Sequence, residues 1–319
     1  MMTIFKRSLL CATLCVSTVA FAQEPAKPVP SNDETAASEH VDTTPPGLPH
    51  IKAIEHKEIV YHHGSGVDQV LDVYEQPGGK AAPVIVYWHG GAWWKGQRPQ
   101  SQGGFRPLIN MGFSVVSVDY RLTGVAKAPA AVEDVRCSLA WVAKNAAQYH
   151  FDTSRIVAYG TSAGGHLALM AGYLPASKEL DPPECGPVPK VAAVLDFYGI
   201  PDVYGVVASG IPLSKSTVRW VGGEGAKDPD SLKMAKAMSP NTYLRAGLPP
   251  TFIAHGDADP VVPYTQSTTL KADLTKLNVP VEMHTVAGAG HGKWTPPEMA
   301  AVWVDVLAFL QAQHIVTSK

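Results

Sequence analysis

Short apolar runs alternate with helical patterns from about residue 51 to the C-terminus, and this alternation restricts the fold more than any other feature of the chain. Runs such as PVIVYW at residues 83–88 are apolar throughout, as expected of a strand covered on both faces. Between the runs, apolar residues recur at helical spacing, for example Val132, Val135, Leu139 and Val142. The sequence therefore predicts an α/β protein with a mostly parallel eight-stranded sheet and helices on both faces. The predicted strands are residues 58–61, 70–74, 83–88, 113–118, 155–159, 191–197, 251–255 and 281–286.

Residues 200–250 interrupt this alternation. They carry scattered glycine and proline and no clean strand pattern. The interval lies where a segment can cover the carboxyl edge of the sheet, which is the edge where open α/β folds bind their ligands. We therefore predict one domain over residues 51–319, with residues 200–250 as a candidate for a small lid-like insertion.

The N-terminal residues have the sequence pattern of a signal peptide. Lys6 and Arg7 precede an uncharged apolar stretch that ends at Ala20-Phe21-Ala22, a typical cleavage site. We predict a signal peptide over 1–22, a flexible linker over 23–50, and export to the periplasm or the outside of the cell, with no membrane span in the mature form. A lipid anchor on Cys11 or Cys15 is the alternative.

The net charge, the absence of metal-binding motifs and the number of cysteines exclude several classes of function. The formal net charge of −2 argues against a nucleic-acid partner, which requires a basic face. Neither H-E-x-x-H nor paired C-x-x-C is present, so we expect no metal site and no cofactor. Cys137 and Cys185 remain after removal of the signal peptide, and a disulfide between them is a hypothesis beside two free thiols.

Ser162 lies in a predicted tight turn whose sequence suggests a catalytic nucleophile. It lies in Gly160-Thr161-Ser162-Ala163-Gly164, directly after a predicted strand and before a predicted helix. A G-x-S-x-G turn in this context holds the serine in a strained conformation and projects its hydroxyl above the sheet. A glycine-rich turn without catalytic function is the alternative, and the flanking strand and helix argue against it.

A serine hydroxyl needs a base to take its proton and a third group to orient that base. Asp259 and His291 follow the seventh and eighth predicted strands, so they lie at the same sheet edge as Ser162. Asp257 is the competing carboxylate, and of the two we favour Asp259. Other histidines lie within strand or helix patterns, where packing or solvation is the simpler interpretation, namely His62, His63, His166 and His255.

The sequence HGGAWW after the third strand predicts the donors for an oxyanion. Its glycines permit a loop with inward-pointing amides. We expect Gly91, Ala92 and Ala163 to donate to the oxyanion, with His89 bracing the loop. We hypothesise that Trp93, Trp94 and Trp294 form an aromatic wall against which the substrate binds. The alternative is that these side chains only pack within the protein.

Taken together, the segments YWHGGAWWKG, VDYRL, YGTSAGG, HGDADPVVP and GAGHG resemble those of exported bacterial α/β-hydrolase esterases. The resemblance is greatest to the acetylxylan/feruloyl esterase-like group, which is related to the hormone-sensitive-lipase-like carboxylesterases. Ala92 stands where the latter have a third glycine, which favours the former group. The resemblance implies an α/β-hydrolase fold and hydrolysis of carboxylic esters by Ser162, His291 and Asp259. Asp119 and Arg121 match a motif that is structural in such proteins.

The function predicted from these features is that of a serine esterase acting on a small-molecule or plant-derived ester. Acyl transfer to an alcohol or amine uses the same three residues and is the first alternative. A non-enzymatic binding protein on a hydrolase scaffold is the second, although its usual sign is a missing catalytic residue and none is missing here. The sequence does not name the acyl or alcohol group, and it does not predict an oligomeric state.

Overall fold

The computed structural model of the chain describes residues 41–317. The predicted signal peptide (1–22), Cys11, Cys15 and most of the predicted linker (23–50) lie outside the described residues, so export remains a prediction. Residues 41–53 form no helix or strand, but Leu48 and Ile51 pack against the domain. No helix within residues 41–317 has both the length and the apolar character needed to cross a membrane.

Eight strands form one sheet in the order β1-β2-β4-β3-β5-β6-β7-β8, which confirms the predicted sheet. Strand β2 is antiparallel to both β1 and β4, and all the other neighbours are parallel. Because parallel neighbours share a direction, the carboxyl ends of β3 and β5–β8 meet at one edge. The strands are β1 Ile54–Gly64, β2 Val67–Glu75, β3 Ala82–Trp88, β4 Ser114–Val118, β5 Phe151–Thr161, β6 Ala193–Phe197, β7 Thr251–Gly256 and β8 Val281–Val286.

Helices cover both faces of this sheet. On one face the core contains the predicted stripe Val132, Val135, Leu139 and Val142, none of which is exposed. The other face is covered by two helices, α1 and α8. Strand side chains alternate between the two cores, as the two-residue period of a strand requires. The helices are α1 Arg106–Asn110, α2 Ala130–Lys144, α3 Ala163–Tyr173, α4 Val203–Ser209, α5 Ser214–Val221, α6 Pro229–Ala237, α7 Thr265–Lys276 and α8 Pro296–Ala312.

The predicted insertion over residues 200–250 is helical. It contributes α4, α5 and α6 and no strand of the described sheet. These helices are only 7, 8 and 9 residues long, so they depend on tertiary packing rather than on intrinsic helix stability. Ile200 and Leu213 face the same cavity as Ser162, so the insertion lies over the predicted edge of the sheet.

A disulfide joins Cys137 on α2 to Cys185, which lies in a short 3₁₀ turn. The two Cα atoms are 5.1 Å apart, within the usual range for a bridge. His62 on β1 lies beside it, with Nδ1 3.4 Å from Cys185 Sγ. The bridge thus fastens the loop before β6 to the helix that covers β1.

The backbones of β3, β5 and α3 are in close contact where they cross at the edge of the sheet. A Cβ atom on Gly160 would lie 2.1 Å from the Gly164 carbonyl oxygen, and one on Gly164 would lie 2.0 Å from the Trp88 carbonyl oxygen. Both obstacles are backbone atoms, so a side chain at either position would have to displace a strand or a helix. The glycines of the G-x-S-x-G motif are therefore required by the fold itself.

This packing predicts that Gly160→Ala destabilises the protein. Overpacking of a core costs about 1–3 kcal/mol, and each kcal/mol lowers the Tm of a domain this large by about 2–4 °C, so we expect the Tm to fall by roughly 2–12 °C. Thermal unfolding followed by circular dichroism measures the change. Gly104→Ala is the matched control, because nothing lies within 4 Å of a Cβ there. Equal melting temperatures for the two variants would contradict the packing argument.

Candidate active site

Ser162 occupies the turn between β5 and α3 with a backbone conformation that few residues adopt. Its φ is 56° and its ψ is −120°, and its amide donates to the Phe197 carbonyl. A positive φ is costly for a residue with a side chain and persists only where the surroundings enforce it. Here the close crossing at Gly160 and Gly164 enforces it, and the hydroxyl stands at the N-terminus of α3, where negative charge is favoured.

His291 lies between Ser162 and Asp259 at the carboxyl edge of the sheet. Its Nε2 is 2.9 Å from Ser162 Oγ, and its Nδ1 is 2.6 Å from Asp259 Oδ2. An ionised carboxylate only accepts, so Nδ1 donates to Asp259 and Nε2 is left to accept from the serine hydroxyl. This is the arrangement in which a histidine can act as a general base towards a serine.

The side chain of Asp259 is fully buried and accepts four hydrogen bonds. Its Oδ1 accepts from the amides of Val261 (2.7 Å) and Val262 (3.0 Å), and its Oδ2 accepts from His291 and from His255 Nε2 (3.1 Å). Burial raises the pKa of this carboxyl, but the hydrogen bonds from His255, His291 and Val261 outweigh it and hold the pKa well below its usual range. Asp259 is therefore ionised at neutral pH.

Asp257, the competing carboxylate, points elsewhere. It is exposed, and its Oδ1 accepts from the amide of Gly288 at 2.6 Å. That bond connects the turn after β7 to the turn after β8. The structure thus pairs His291 with Asp259 and leaves Asp257 in a loop contact.

The loop after β3 lies beside Ser162. Gly91 and Ala92 have φ values of 117° and 53°, and a Cβ on Gly91 would lie 2.0 Å from the Lys95 carbonyl oxygen. Among residues 41–317, the amides of Gly91, Ala92 and Ala163 have no hydrogen-bond acceptor in the protein. Three unengaged amides beside a serine hydroxyl are the donors that an oxyanion needs.

His89 braces this loop, as predicted. It is buried and stacks on Tyr120, with the ring centroids 4.4 Å apart. Its Nδ1 donates to the Gly90 carbonyl at 2.6 Å, and the Tyr120 hydroxyl donates to the His89 carbonyl at 2.9 Å. Burial lowers the pKa of His89, so the ring stays neutral in this role. Asp119 and Arg121 form ion pairs with Arg98 and Asp134, which agrees with a structural role for that motif.

Trp93 attaches the same loop to the core of the protein. Its side chain is fully buried and stacks on Trp220 of α5, with centroids 4.4 Å apart and planes 7° apart. Its Nε1 donates to Nδ1 of the buried His166 at 3.2 Å, and His166 Nε2 donates to the Met238 carbonyl at 2.7 Å. Burial lowers the pKa of His166 to about 4, so the ring is neutral and its Nδ1 accepts from Trp93.

Trp93, Trp94 and Trp294 do not form the predicted aromatic wall around the cavity beside Ser162. Trp93 borders the cavity beside Ser162, but its ring is packed against Trp220. Trp94 is 43% exposed, between Lys95 and Arg219, and Trp294 packs on Tyr198 and donates to the Gly290 carbonyl. Neither Trp94 nor Trp294 borders that cavity.

A cavity of about 220 Å³ opens beside Ser162 and Ala92. Its wall comes mostly from the insertion, which was predicted to cover this edge of the sheet, and from the loop after β7 that carries Asp259. The lining is apolar apart from Ser162 and Ser216, and it consists further of Trp93, Ile200, Pro212, Leu213, Pro260 and Val261. Apart from Ser162, only Trp93 among these positions was predicted to contact the substrate, and the others were indicated only by the location of the insertion and of the segment around Asp259.

Two further aromatic and histidine contacts were missed by sequence reasoning. Tyr198 packs its ring edge-to-face on His291, with centroids 4.7 Å apart. His255 was interpreted as a packed histidine and is indeed buried, but it also contacts Asp259. The only sequence signal for that contact is its position four residues before Asp259.

Comparison with known proteins agrees with this architecture. The BD-FAE family pattern matches residues 71–274. Esterase LipQ of Mycobacterium tuberculosis is 32% identical over 237 residues, which cover 71% of this chain and 56% of that protein. The chain spans 46% to 64% of the length of the first three curated relatives.

Solved esterase structures superpose on this chain over nearly the whole of their own length. A truncated carbohydrate esterase from gut microbiota superposes with a TM-score of 0.67 at 25% identity, over 85% of this chain and 99% of that one. Thermogutta terrifontis esterase 2 phosphonylated by sarin gives a TM-score of 0.70 at 25% identity, over 86% and 98%. The predicted α/β-hydrolase fold is confirmed.

The contacts of the two aspartates predict different effects on turnover. Asp259→Asn should lower kcat by roughly 10³–10⁴-fold, because an amide favours the wrong tautomer of the facing imidazole. Asp257→Asn, which alters only the contact with Gly288, should stay within about threefold, as surface changes usually do. Steady-state kinetics on a p-nitrophenyl ester compares the two variants, and the reverse ranking would reassign the acid.

Proposed function

The chain belongs to the BD-FAE family, and from this premise and the site geometry we propose that it is a serine hydrolase of carboxylic esters. The observation that carries the proposal is the hydrogen-bonded series Ser162–His291–Asp259 beside a loop with unengaged backbone amides. The relatives named esterase support ester hydrolysis, and the sarin-phosphonylated neighbour supports a nucleophile that reacts at phosphorus as well as at carbon.

Acylation follows from the directions of the hydrogen bonds. His291 Nε2 takes the proton of Ser162 as Oγ attacks the ester carbonyl carbon. The carbonyl oxygen becomes an oxyanion, and the amides of Gly91, Ala92 and Ala163 donate to it. Buried, ionised Asp259 stabilises the imidazolium that forms. His291 then returns the proton to the leaving alkoxide, and the alcohol departs from an acyl-Ser162 enzyme.

Deacylation uses the same groups in the opposite sense. His291 takes a proton from a water molecule, and the resulting hydroxide attacks the acyl carbon of acyl-Ser162. The second oxyanion is bound by the same amides. Its collapse breaks the bond to Oγ, His291 gives the proton back to Ser162, and the carboxylic acid leaves.

The cavity beside Ser162 limits the substrate. A dry cavity of about 150 Å³ holds a molecule the size of benzene, so roughly 220 Å³ holds a short acyl group but not a long chain. Its apolar wall of Ile200, Leu213 and Val261 suits an alkyl or aryl group rather than a charged one. We place the substrate among small-molecule or plant-derived esters with a short acyl group, and the predicted signal peptide places the reaction outside the cytoplasm.

The two alternatives differ from this proposal in measurable ways. An acyltransferase would give a new ester or amide when an alcohol or amine competes with water. A binding protein on this scaffold would show no turnover at all. The intact series from Ser162 to Asp259 favours an enzyme over the binding protein.

The nucleophile assignment predicts the behaviour of Ser162→Ala. The variant should fold normally and lose at least about 10⁴-fold in kcat, because the whole acylation step depends on Oγ. A fluorophosphonate probe should label the unmutated protein and not the variant, as read by intact-mass spectrometry. Labelling that persists in Ser162→Ala would show that another residue is the nucleophile.

The cavity predicts a preference for short acyl groups. On p-nitrophenyl esters, kcat/KM should be highest from acetyl to butyryl and at least tenfold lower for dodecanoyl, since discrimination of a few kcal/mol is within reach of an apolar pocket. Comparison with methyl ferulate tests whether an aryl acyl group is also accepted. A maximum at dodecanoyl would mean that the cavity does not bind the acyl group.

A further inference from the structure

His255 lies behind the predicted catalytic acid and has no part in the mechanism above. It belongs to β7, and its side chain is fully buried. Its Nε2 is 3.1 Å from Asp259 Oδ2 and 3.1 Å from the Val262 carbonyl oxygen, and its Nδ1 is 2.6 Å from Ser267 Oγ. A fully buried histidine with three hydrogen-bond partners contributes through those bonds as well as through its volume.

The partners of His255 determine which nitrogen carries its proton. The Val262 carbonyl can only accept, so Nε2 must donate. In the neutral ring Nδ1 then accepts from the hydroxyl of Ser267, which lies in α7. Nε2–H is therefore shared between Val262 and Asp259, and Ser267 keeps the ring in that orientation.

Asp259 stands in the loop after β7, and its two oxygens are held differently. Oδ1 is held from within the loop by the amides of Val261 and Val262. Oδ2, the oxygen that faces His291, has one other donor, and that donor is His255. His255 and Ser267 belong to a strand and a helix, so they attach this oxygen to rigid elements of the fold.

We propose that His255 is a positioning residue for the reaction, holding Asp259 Oδ2 at the distance and angle that His291 Nδ1 requires. The proposal rests on the proposed function, because it assigns His255 an effect that passes through Asp259 and His291 to Ser162. Loss of the Nε2–H donor frees the carboxylate to rotate, and small misplacements of catalytic groups cost up to about 10²-fold in rate.

Two conservative variants separate the donor from the bulk of the ring. Glutamine has an amide nitrogen as many bonds from Cα as Nε2 of histidine, whereas asparagine reaches only as far as Nδ1. His255→Asn should therefore lower kcat by about 10–100-fold with KM within about twofold, as expected for loss of an interaction made in the transition state. His255→Gln should recover to within about fivefold of the unmutated enzyme. Equal activity of the two variants, whether both high or both low, would overturn the proposal.

A double-mutant cycle with Asp259→Asn tests whether the effect passes through Asp259. In that background His255→Asn should cost less than about twofold, because the interaction it supports is already lost. A loss of the same size in both backgrounds would assign His255 to general packing and contradict the proposal. His284→Gln, on β8 and paired with Asp305, is the control for replacing a histidine away from the site.

Two further measurements keep the test decisive. If His255→Asn does not fold, Ser267→Ala removes only the hydroxyl that orients the ring, and a several-fold loss of kcat that vanishes in the Asp259→Asn background is expected. An unchanged kcat would then overturn the proposal. Ser162→Ala is assayed in parallel: turnover that survives it refutes the serine mechanism itself, whereas Ser162-dependent turnover that is insensitive to His255 refutes only the positioning role.

Discussion

The contact of α3 with the backbone of β3 is the constraint on which the rest of the site depends. Gly164 lies so close to the Trp88 carbonyl, and Gly160 so close to the Gly164 carbonyl, that no side chain fits at either position. This crossing holds Ser162 at positive φ and aims its hydroxyl at His291. It also places the amide of Ala163 beside the loop after β3, so the nucleophile and the oxyanion donors are positioned by one packing contact.

Much of this arrangement could be predicted from sequence because it follows from local patterns and from topology. Buried parallel strands are continuous apolar runs, and all eight predicted strands are present. Side chains that follow parallel strands meet at one edge, which is why Ser162, Asp259 and His291 could be grouped without a structure. Strand β1 extends well beyond the predicted residues 58–61, because its exposed polar residues hide the pattern of an edge strand.

Most of the contacts that were missed join residues distant in sequence. The stacking of Trp93 on Trp220 and the bond from Trp93 to His166 span 73 residues or more, and no local pattern marks them. The helices of the insertion are too short for a reliable 3.6-residue period. His255 lies near Asp259 in sequence, yet its contact depends on how the loop after β7 folds back on the strand. Sequence patterns predicted the strands and the edge at which Ser162, Asp259 and His291 meet, but not the contacts of the side chains packed around them.

The insertion contributes to two parts of the site at once. Leu213 and Ser216 line the cavity that we assign to the acyl group, and Trp220, on the same short helix as Ser216, supports Trp93 and with it the oxyanion loop. Protein interiors are close-packed, so a shift of α5 that widens the cavity also moves the partner of Trp93. Acyl-group selection and oxyanion stabilisation are therefore coupled through α5. It follows that changes in the cavity wall on this helix should alter kcat together with KM in steady-state kinetics.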